Sequence, residues 1–394
     1  YNDDHNNPQE YDSWGSSLRL GWDFDNDMTL TSITAFETTD GSSLGDIDGG
    51  NPDGPGFIPF MSTTQDGLDD LEQITQELRL AQQANDQLFY QVGLYYFDSD
   101  LTIRTSPFFV PDSIVRHQNE AWAVFGQVSY DTSENTTLTV GLRYTDDDKS
   151  ADAFSGAFGS QLPTVELSDD HLSWDLALNH VTNDNLSIYG RIASGFRAPT
   201  IQSRDVAFFG VPTTAPSETI LSYETGFKLT SDNGRLRWNG AIYYYDVSDQ
   251  QVTAVGGASN SVQLVSIDEV NAWGIETDIE WLATDFLRLT AGVGYTDTEI
   301  NDPSLRVPVC GSGQCTPVDP LDDNGFAIVD GNTLPQAPDW TINFTADYNR
   351  PVGNGELFVF ADYAYQGDTR ILLYDAVEFN SDGTFDLGLR AGYR

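Results

Sequence analysis

The stretch SDNGRLRWNGAIYYYDVSDQ, Ser231 to Gln250, decides the fold. After the turn-forming pair Asn233-Gly234, residues Leu236, Trp238, Gly240, Ile242 and Tyr244 share one face of an extended chain. Arg237, Asn239, Ala241, Tyr243 and Tyr245 share the other. Side chains that alternate sides residue by residue mark a β-strand. The Asn-Gly pair tolerates the positive φ of a tight hairpin turn, so this strand leaves a hairpin.

The same period of two recurs in both directions. Leu138, Val140, Leu142 and Tyr144 oppose Thr137, Thr139, Gly141 and Arg143. Leu287, Leu289, Ala291, Val293 and Tyr295 oppose Arg288, Thr290, Gly292 and Gly294. Phe385, Leu387, Leu389, Ala391 and Tyr393 oppose Asp386, Gly388, Arg390 and Gly392. No helix of useful length with a 3.6-residue period is found. About fifteen strands are expected, near 14–25, 27–39, 71–84, 86–99, 118–131, 135–149, 169–181, 184–196, 218–231, 234–250, 267–283, 285–300, 338–349, 354–367 and 382–393. Many reach about ten residues, whereas globular strands average about five or six. Tilted strands of about ten residues are what a bilayer requires.

The connections alternate in length. Short, Asn-, Asp- and Gly-rich ones lie at 25–27, 84–86, 132–135, 182–185, 231–234, 283–284 and 350–355. Between them come long ones at 38–70, 100–117, 150–168, 197–217, 251–266, 301–337 and 368–381. Short turns on one side and long loops on the other define outer-membrane barrels. The competing soluble sandwich or propeller has shorter strands and no such strict alternation. The expected fold is therefore all-β, a transmembrane antiparallel β-barrel. Its outward side chains are Leu, Val, Ile, Trp and Tyr, and its inward ones Thr, Asn, Arg, Asp and Gly. Tyr144, Tyr244, Tyr295, Trp340 and Tyr393 stand at strand ends, as an interfacial girdle requires.

Composition agrees. The chain has 394 residues, with 18 Lys+Arg against 61 Asp+Glu, a formal charge of −43. That excess of acid excludes nucleic acid as a partner, since phosphate binding needs clustered Lys and Arg. Two cysteines make neither a disulfide scaffold nor a four-thiolate zinc site. Disordered chains are acidic too, but they lack aromatics, and 8 Trp, 18 Tyr and 22 Phe contradict disorder. The length fits two or three ordinary domains, yet barrels run long as one.

Several strings resemble TonB-dependent outer-membrane receptors. They are ITQELRLA (Ile74 to Ala81), LTVGLRYTDDDK (Leu138 to Lys149), SIYGRIASGFRAPT (Ser187 to Thr200), YETGFK (Tyr223 to Lys228), NAWGIETDIEW (Asn271 to Trp281) and LPQAPDW (Leu334 to Trp340). Within the third, GFRAP (Gly195 to Pro199) resembles the family's strand-exit motif. The resemblance implies a 22-stranded barrel, an N-terminal plug and a TonB box that couples to an inner-membrane energy source. Neither plug nor TonB box is visible here. The chain starts at Tyr1 rather than Met and stops at Arg394 inside an alternating pattern. It is therefore expected to be a fragment: residues 1–394 form a partial barrel, with the plug domain, the first strands and the last strands absent. Strand parity gives about fifteen strands from the sixth to the twentieth, with five missing before and two after.

The implied function is energised import of a scarce solute across a bacterial outer membrane, a ferric siderophore by default, with no enzymatic role. Alternatives are a cobalamin, haem or oligosaccharide receptor of the same family, a passive porin, and a soluble β-rich binding module. Anionic ferric complexes favour Arg and Lys pockets, and the acidic loops fit them poorly. Implied partners are the TonB complex, a small-molecule ligand, outer-membrane lipid and lipopolysaccharide. His5, His117, His171 and His180 are scattered, and no HExxH, GxSxG or phosphate-cradling loop occurs.

Three groups stand out as candidate sites. The loop aromatics Phe108, Phe109, Phe154, Phe158, Phe208 and Phe209 are ligand-binding candidates, with packing on one another as the alternative. Asp46, Asp48, Asn51 and Asp53, in DIDGGNPDG, place oxygen ligands as a structural Ca²⁺ loop would, and no other cofactor is expected. The alternative is a solvated acidic loop. Cys310 and Cys315, in CGSGQC, are expected to form a local disulfide in an oxidising space, with a metal or redox pair as the alternative.

Overall fold

The computed structural model describes residues 7–25, 27–46, 63–107, 109–257, 261–311 and 315–394. Fifteen long strands follow one another. They are β1 (Gln9–Phe24), β2 (Met28–Asp46), β3 (Thr63–Asn85), β4 (Leu88–Pro107), β5 (Ser113–Ser133), β6 (Thr136–Ser155), β7 (Val165–Asn183), β8 (Leu186–Arg197), β9 (Glu218–Thr230), β10 (Leu236–Gly256), β11 (Ser261–Thr284), β12 (Leu287–Asn301), β13 (Trp340–Val352), β14 (Gly355–Gln366) and β15 (Thr384–Tyr393). They form one antiparallel sheet in chain order, and Ser160–Gln161 adds a short strand to β6. Among the described residues the one helical element is a 3₁₀ turn, Arg204–Phe208.

The short turns all fall at one end of this sheet. Asp27, Gly234 and Gly353 take positive φ of 58°, 65° and 63° there, as tight hairpins require. At the other end the loops 38–70, 100–117, 150–168 and 251–266 are corrected. β2 runs to Asp46 and β3 starts at Thr63; β4 runs to Pro107 and β5 starts at Ser113. β6 runs to Ser155 and β7 starts at Val165, while β10 and β11 leave only a few residues between them. Beyond the bilayer both faces of a strand lie in water or under other loops. The one-sided apolar pattern then fades, although the backbone ladder continues to satisfy its own polar groups.

The external edge of the apolar band is sharp. Outward aromatics pack from strand to strand: Trp122 with Tyr144 at 5.5 Å, Trp273 with Tyr295 at 5.3 Å, and Tyr295 with Trp340 at 4.8 Å between ring centroids. Two residues further out on the same faces stand carboxylates. Asp98 follows Tyr96, Glu120 follows Trp122, Asp146 follows Tyr144, Asp246 follows Tyr244 and Asp297 follows Tyr295. Hydrocarbon does not accommodate this density of carboxylates, so the water boundary lies between the two rows. Within the band, Gln76 is an outward polar residue, and its neighbours satisfy it. Thr34 Oγ1 donates to Gln76 Oε1 at 2.5 Å, and Gln76 Nε2 donates to Ser32 Oγ at 3.0 Å.

The inner wall is polar and internally hydrogen-bonded. Arg191 pairs with Asp175, Asn239 Nδ2 donates to Asp278 at 2.7 Å, and Tyr189 Oη donates to Glu224 at 2.6 Å. The larger apolar core among the described residues is external. Ile267, Val270 and Ile300 at the tops of β11 and β12 pack against Val307 and Val329 from the β12–β13 connection and Leu373 from the β14–β15 connection. Cys310 and Cys315 form a disulfide in this cap, with Cα atoms 6.0 Å apart. The Cys310 N–H donates to Tyr374 Oη at 3.0 Å.

Candidate ligand site at the external mouth

Three external connections meet beside the tops of β4, β5 and β6. Val206, in the 3₁₀ turn of the β8–β9 connection, is buried against Val115 of β5 and Ala153 of β6. Ser113 Oγ and Ser155 Oγ both donate to the Val206 carbonyl, at 3.4 and 3.2 Å. Ser113 Oγ also accepts the Gly156 N–H at 3.0 Å, and Ser155 Oγ accepts the Phe158 N–H at 3.3 Å. Gly156 has no room for a side chain, since a Cβ would lie 1.9 Å from the Pro111 carbonyl oxygen. The β4–β5 and β6–β7 tips are thus held against each other and against the turn.

This arrangement brings three of the candidate phenylalanines together. Phe209 stacks on Phe109 at 6.2 Å and meets Phe158 edge-on at 6.1 Å. The rings stay open to solvent, at 46% exposure for Phe109, 51% for Phe158 and 54% for Phe209. Phe209 closes the 3₁₀ turn in the left-handed region, φ 67°, a conformation costing a bulky residue about 1–2 kcal/mol. Such strain collects at functional positions. Phe154 does not join the cluster. It lies opposite Ile114 in the sheet, on the face away from Val115 and Ala153. Phe108 and the side chain of Phe208 lie outside the described residues.

The β8–β9 connection is also tied to the far side of the mouth. Gln251 of β10 is 6% exposed. Its Nε2 donates to the carbonyls of Ala198 at 2.9 Å and Pro216 at 2.8 Å, and its Oε1 accepts from Thr200 Oγ1 at 2.6 Å. Asp205 Oδ2 accepts the Val262 N–H at 2.6 Å, and Gln202 Nε2 donates to the Val262 carbonyl at 2.8 Å. Residues 198–217 therefore form a strap from β5 and β6 to β10 and β11. At its root Lys149 Nζ donates to the Pro199 carbonyl at 3.0 Å, so two of the family-like strings meet. Nothing in the local sequence marks Gln251, Ser113 or Ser155. Their roles arise from contacts between residues far apart in the chain.

The cations of this end are paired with carboxylates. Arg104 pairs with Asp69, Arg116 with Asp100, Lys149 with Asp147, Arg197 with Glu218 and Arg204 with Asp205. In the cap, Arg306 pairs with Asp322 and Arg370 with Asp375. Of the expected Ca²⁺ ligands only Asp46 is among the described residues, at the end of β2; Asp48, Asn51 and Asp53 lie outside them. No group of three or more His, Cys, Asp or Glu among the described residues is arranged to hold a metal.

A sheet of long, neighbour-paired strands, apolar outside and polar inside, with all its elaborate loops at one end, defines a large transmembrane β-barrel. The family described as TonB dependent receptor-like, beta-barrel, matches residues 1–394, and the chain belongs to that family. Its fold resembles the ferric yersiniabactin uptake receptor FyuA from Yersinia pestis, with a TM-score of 0.75 at 14% identity over 99% of this chain and 55% of that one. It also resembles the siderophore receptor PiuA from Acinetobacter baumannii, TM-score 0.69 at 16% identity over 97% of this chain and 58% of that one. A third similar structure is the copper transporter OprC, TM-score 0.70 at 14% identity over 97% of this chain and 57% of that one. The chain spans less than two thirds of the length of each of these proteins.

Proposed function

We propose that this chain is barrel wall of an outer-membrane receptor that captures a ferric siderophore at its external mouth and imports it with energy from the TonB complex. The observation that carries this reading is the convergence of Phe109, Phe158 and Phe209, with solvent-exposed rings, on tips held rigid by Ser113 and Ser155. Rigid aromatics offer a large binding surface at low conformational cost. The pairing of the external cations favours a siderophore whose aryl groups, rather than a dense negative charge, face the protein. It equally favours a second reading, a cobalamin or oligosaccharide ligand, since both pack on aromatic rings without needing free arginines.

The test is ligand binding to the intact receptor. Ferric siderophores with aryl groups, cobalamin and oligosaccharides are titrated in parallel against the wild type and against Phe109→Ala, Phe158→Ala and Phe209→Ala. Each truncation is expected to weaken binding about tenfold, as loss of an aromatic anchor does. Unchanged affinity in all three variants would remove the mouth cluster from the function. Normal iron-limited growth of a deletion strain would remove the siderophore.

A further inference from the structure

Several strand glycines in this sheet are covered by a ring from the next strand. Phe125 lies over Gly93, Tyr189 over Gly226, Phe227 over Gly240 and Tyr243 over Gly274, each so close that a Cβ would fall within 3 Å of ring atoms. Gly190 of β8 is among those that no side chain covers. A Cβ there would meet only the Glu224 carbonyl oxygen, at 3.9 Å. Its backbone does not call for glycine either, since its φ is not positive.

Gly190 faces outward in the cross-strand row Leu138, Leu178, Gly190, Thr225, Ile242. Two small residues amid Leu and Ile leave a trough of about 670 Å³. Leu176, Leu178, Ile192, Tyr223, Ile242 and Tyr244 form its walls. It runs up to Tyr223, Tyr244 and Trp273, at the external edge of the apolar band, which places it at the level of the outer leaflet. At that end Tyr244 Oη already donates to Asp246 and accepts from Asn271 Nδ2.

Water in such a trough would find few polar partners, and an empty one would forfeit dispersion contacts along its whole lining. The trough is continuous with the lipid-facing surface and one side-chain row wide. We infer that it seats one acyl chain of an outer-leaflet lipid, held against Gly190 for longer than the chains around the rest of the wall.

The test is native mass spectrometry of the intact receptor released from nanodiscs of palmitoyl-oleoyl phosphatidylethanolamine and phosphatidylglycerol. The wild type is expected to retain a one-lipid adduct. Gly190→Leu and Thr225→Leu, which fill the trough, are expected to lose it. Ala291→Leu, on the same outward face of β12, is expected to keep it. Heat-dependent gel mobility reports folding of each variant, and either filled variant alone carries the comparison if the other does not fold. A wild type without the adduct, its survival in every folded filled variant, or its loss from Ala291→Leu would overturn the inference. So would a wild-type dimer that filling abolishes, because a second protein subunit would then be the occupant.

Discussion

At the scale of single residues, Phe209 separates binding from stability. Its left-handed backbone, φ 67°, is strained for phenylalanine and natural for glycine. Its ring contributes contacts to Phe109 and Phe158 but remains more than half exposed. Replacing it with glycine therefore removes a binding surface and relieves strain together. Phe209→Gly is expected to weaken ligand binding about as much as Phe209→Ala. Its thermal unfolding midpoint should equal or exceed that of the alanine variant, because alanine keeps most of the backbone penalty. Calorimetry with and without ligand checks both halves. Asp302 is the clearest titrating residue. It is 2% exposed and lies just beyond β12, outside the membrane band. Burial pushes its carboxyl up, but hydrogen bonds from the Asp268 N–H and from Ser304 and Leu305 outweigh this, leaving it below the usual 3.8. A carboxylate depressed on folding stabilises the fold above its unfolded pKa and loses that contribution as pH falls through the folded value. Hydrogen-exchange protection of residues 302–309 should hold above about pH 5 and decline below about pH 4. Asp302→Asn should flatten that decline and lower protection at neutral pH by about 2 kcal/mol, through donors left unpaired.

At the scale of elements, the strap matters most. Residues 198–217 have little regular structure of their own, so their position depends on what they are tied to. Gln251 satisfies a carbonyl near each end, Ala198 and Pro216, from one buried amide. Gln251→Leu keeps the bulk and deletes the donors, leaving two carbonyls unpaired at about 1–3 kcal/mol each. Hydrogen exchange should accelerate across 198–217 and stay unchanged in the membrane-level parts of β8 and β9. Uniform acceleration would show that Gln251 supports the wall rather than the strap. The contrast between wall and strap also explains what the sequence made legible. The fifteen strands, their order and their two faces follow from a local period of two, as Leu236 to Tyr245 shows. The strands run past their expected ends where that period loses its apolar side, as in Ser150 to Ser155 of β6, which remains a paired strand without a lipid face. The aromatic cluster was legible only as separate loop phenylalanines. Which of them meet is decided by Val206 docking on Val115 and Ala153, a contact between segments some fifty to ninety residues apart.

At the scale of the whole molecule, the sidedness of the wall explains both the charge and the stability. The net charge of −43 is tolerable because its outward share begins only beyond the aromatic girdle, as Asp98, Glu120, Asp146, Asp246 and Asp297 do. Inside the band, adjacent residues on one strand meet opposite solvents. Ile242 and Ala241 of β10 make the sharpest comparison. Ile242 faces outward between Thr225 and Ile275, on the apolar surface. Ala241 faces inward opposite Glu276, beside a polar recess of about 510 Å³. A lysine at 242 would carry its ammonium into hydrocarbon, at a cost of about 2 kcal/mol even after the side chain reaches for the interface. A lysine at 241 would enter the recess and meet the Glu276 carboxylate, so its expected cost is below about 1 kcal/mol. Urea titration of the intact receptor refolded into phosphatidylcholine vesicles should show Ile242→Lys shifted to lower denaturant and Ala241→Lys close to wild type. The reverse order would mean that the face carrying Ile242 is the one that meets water.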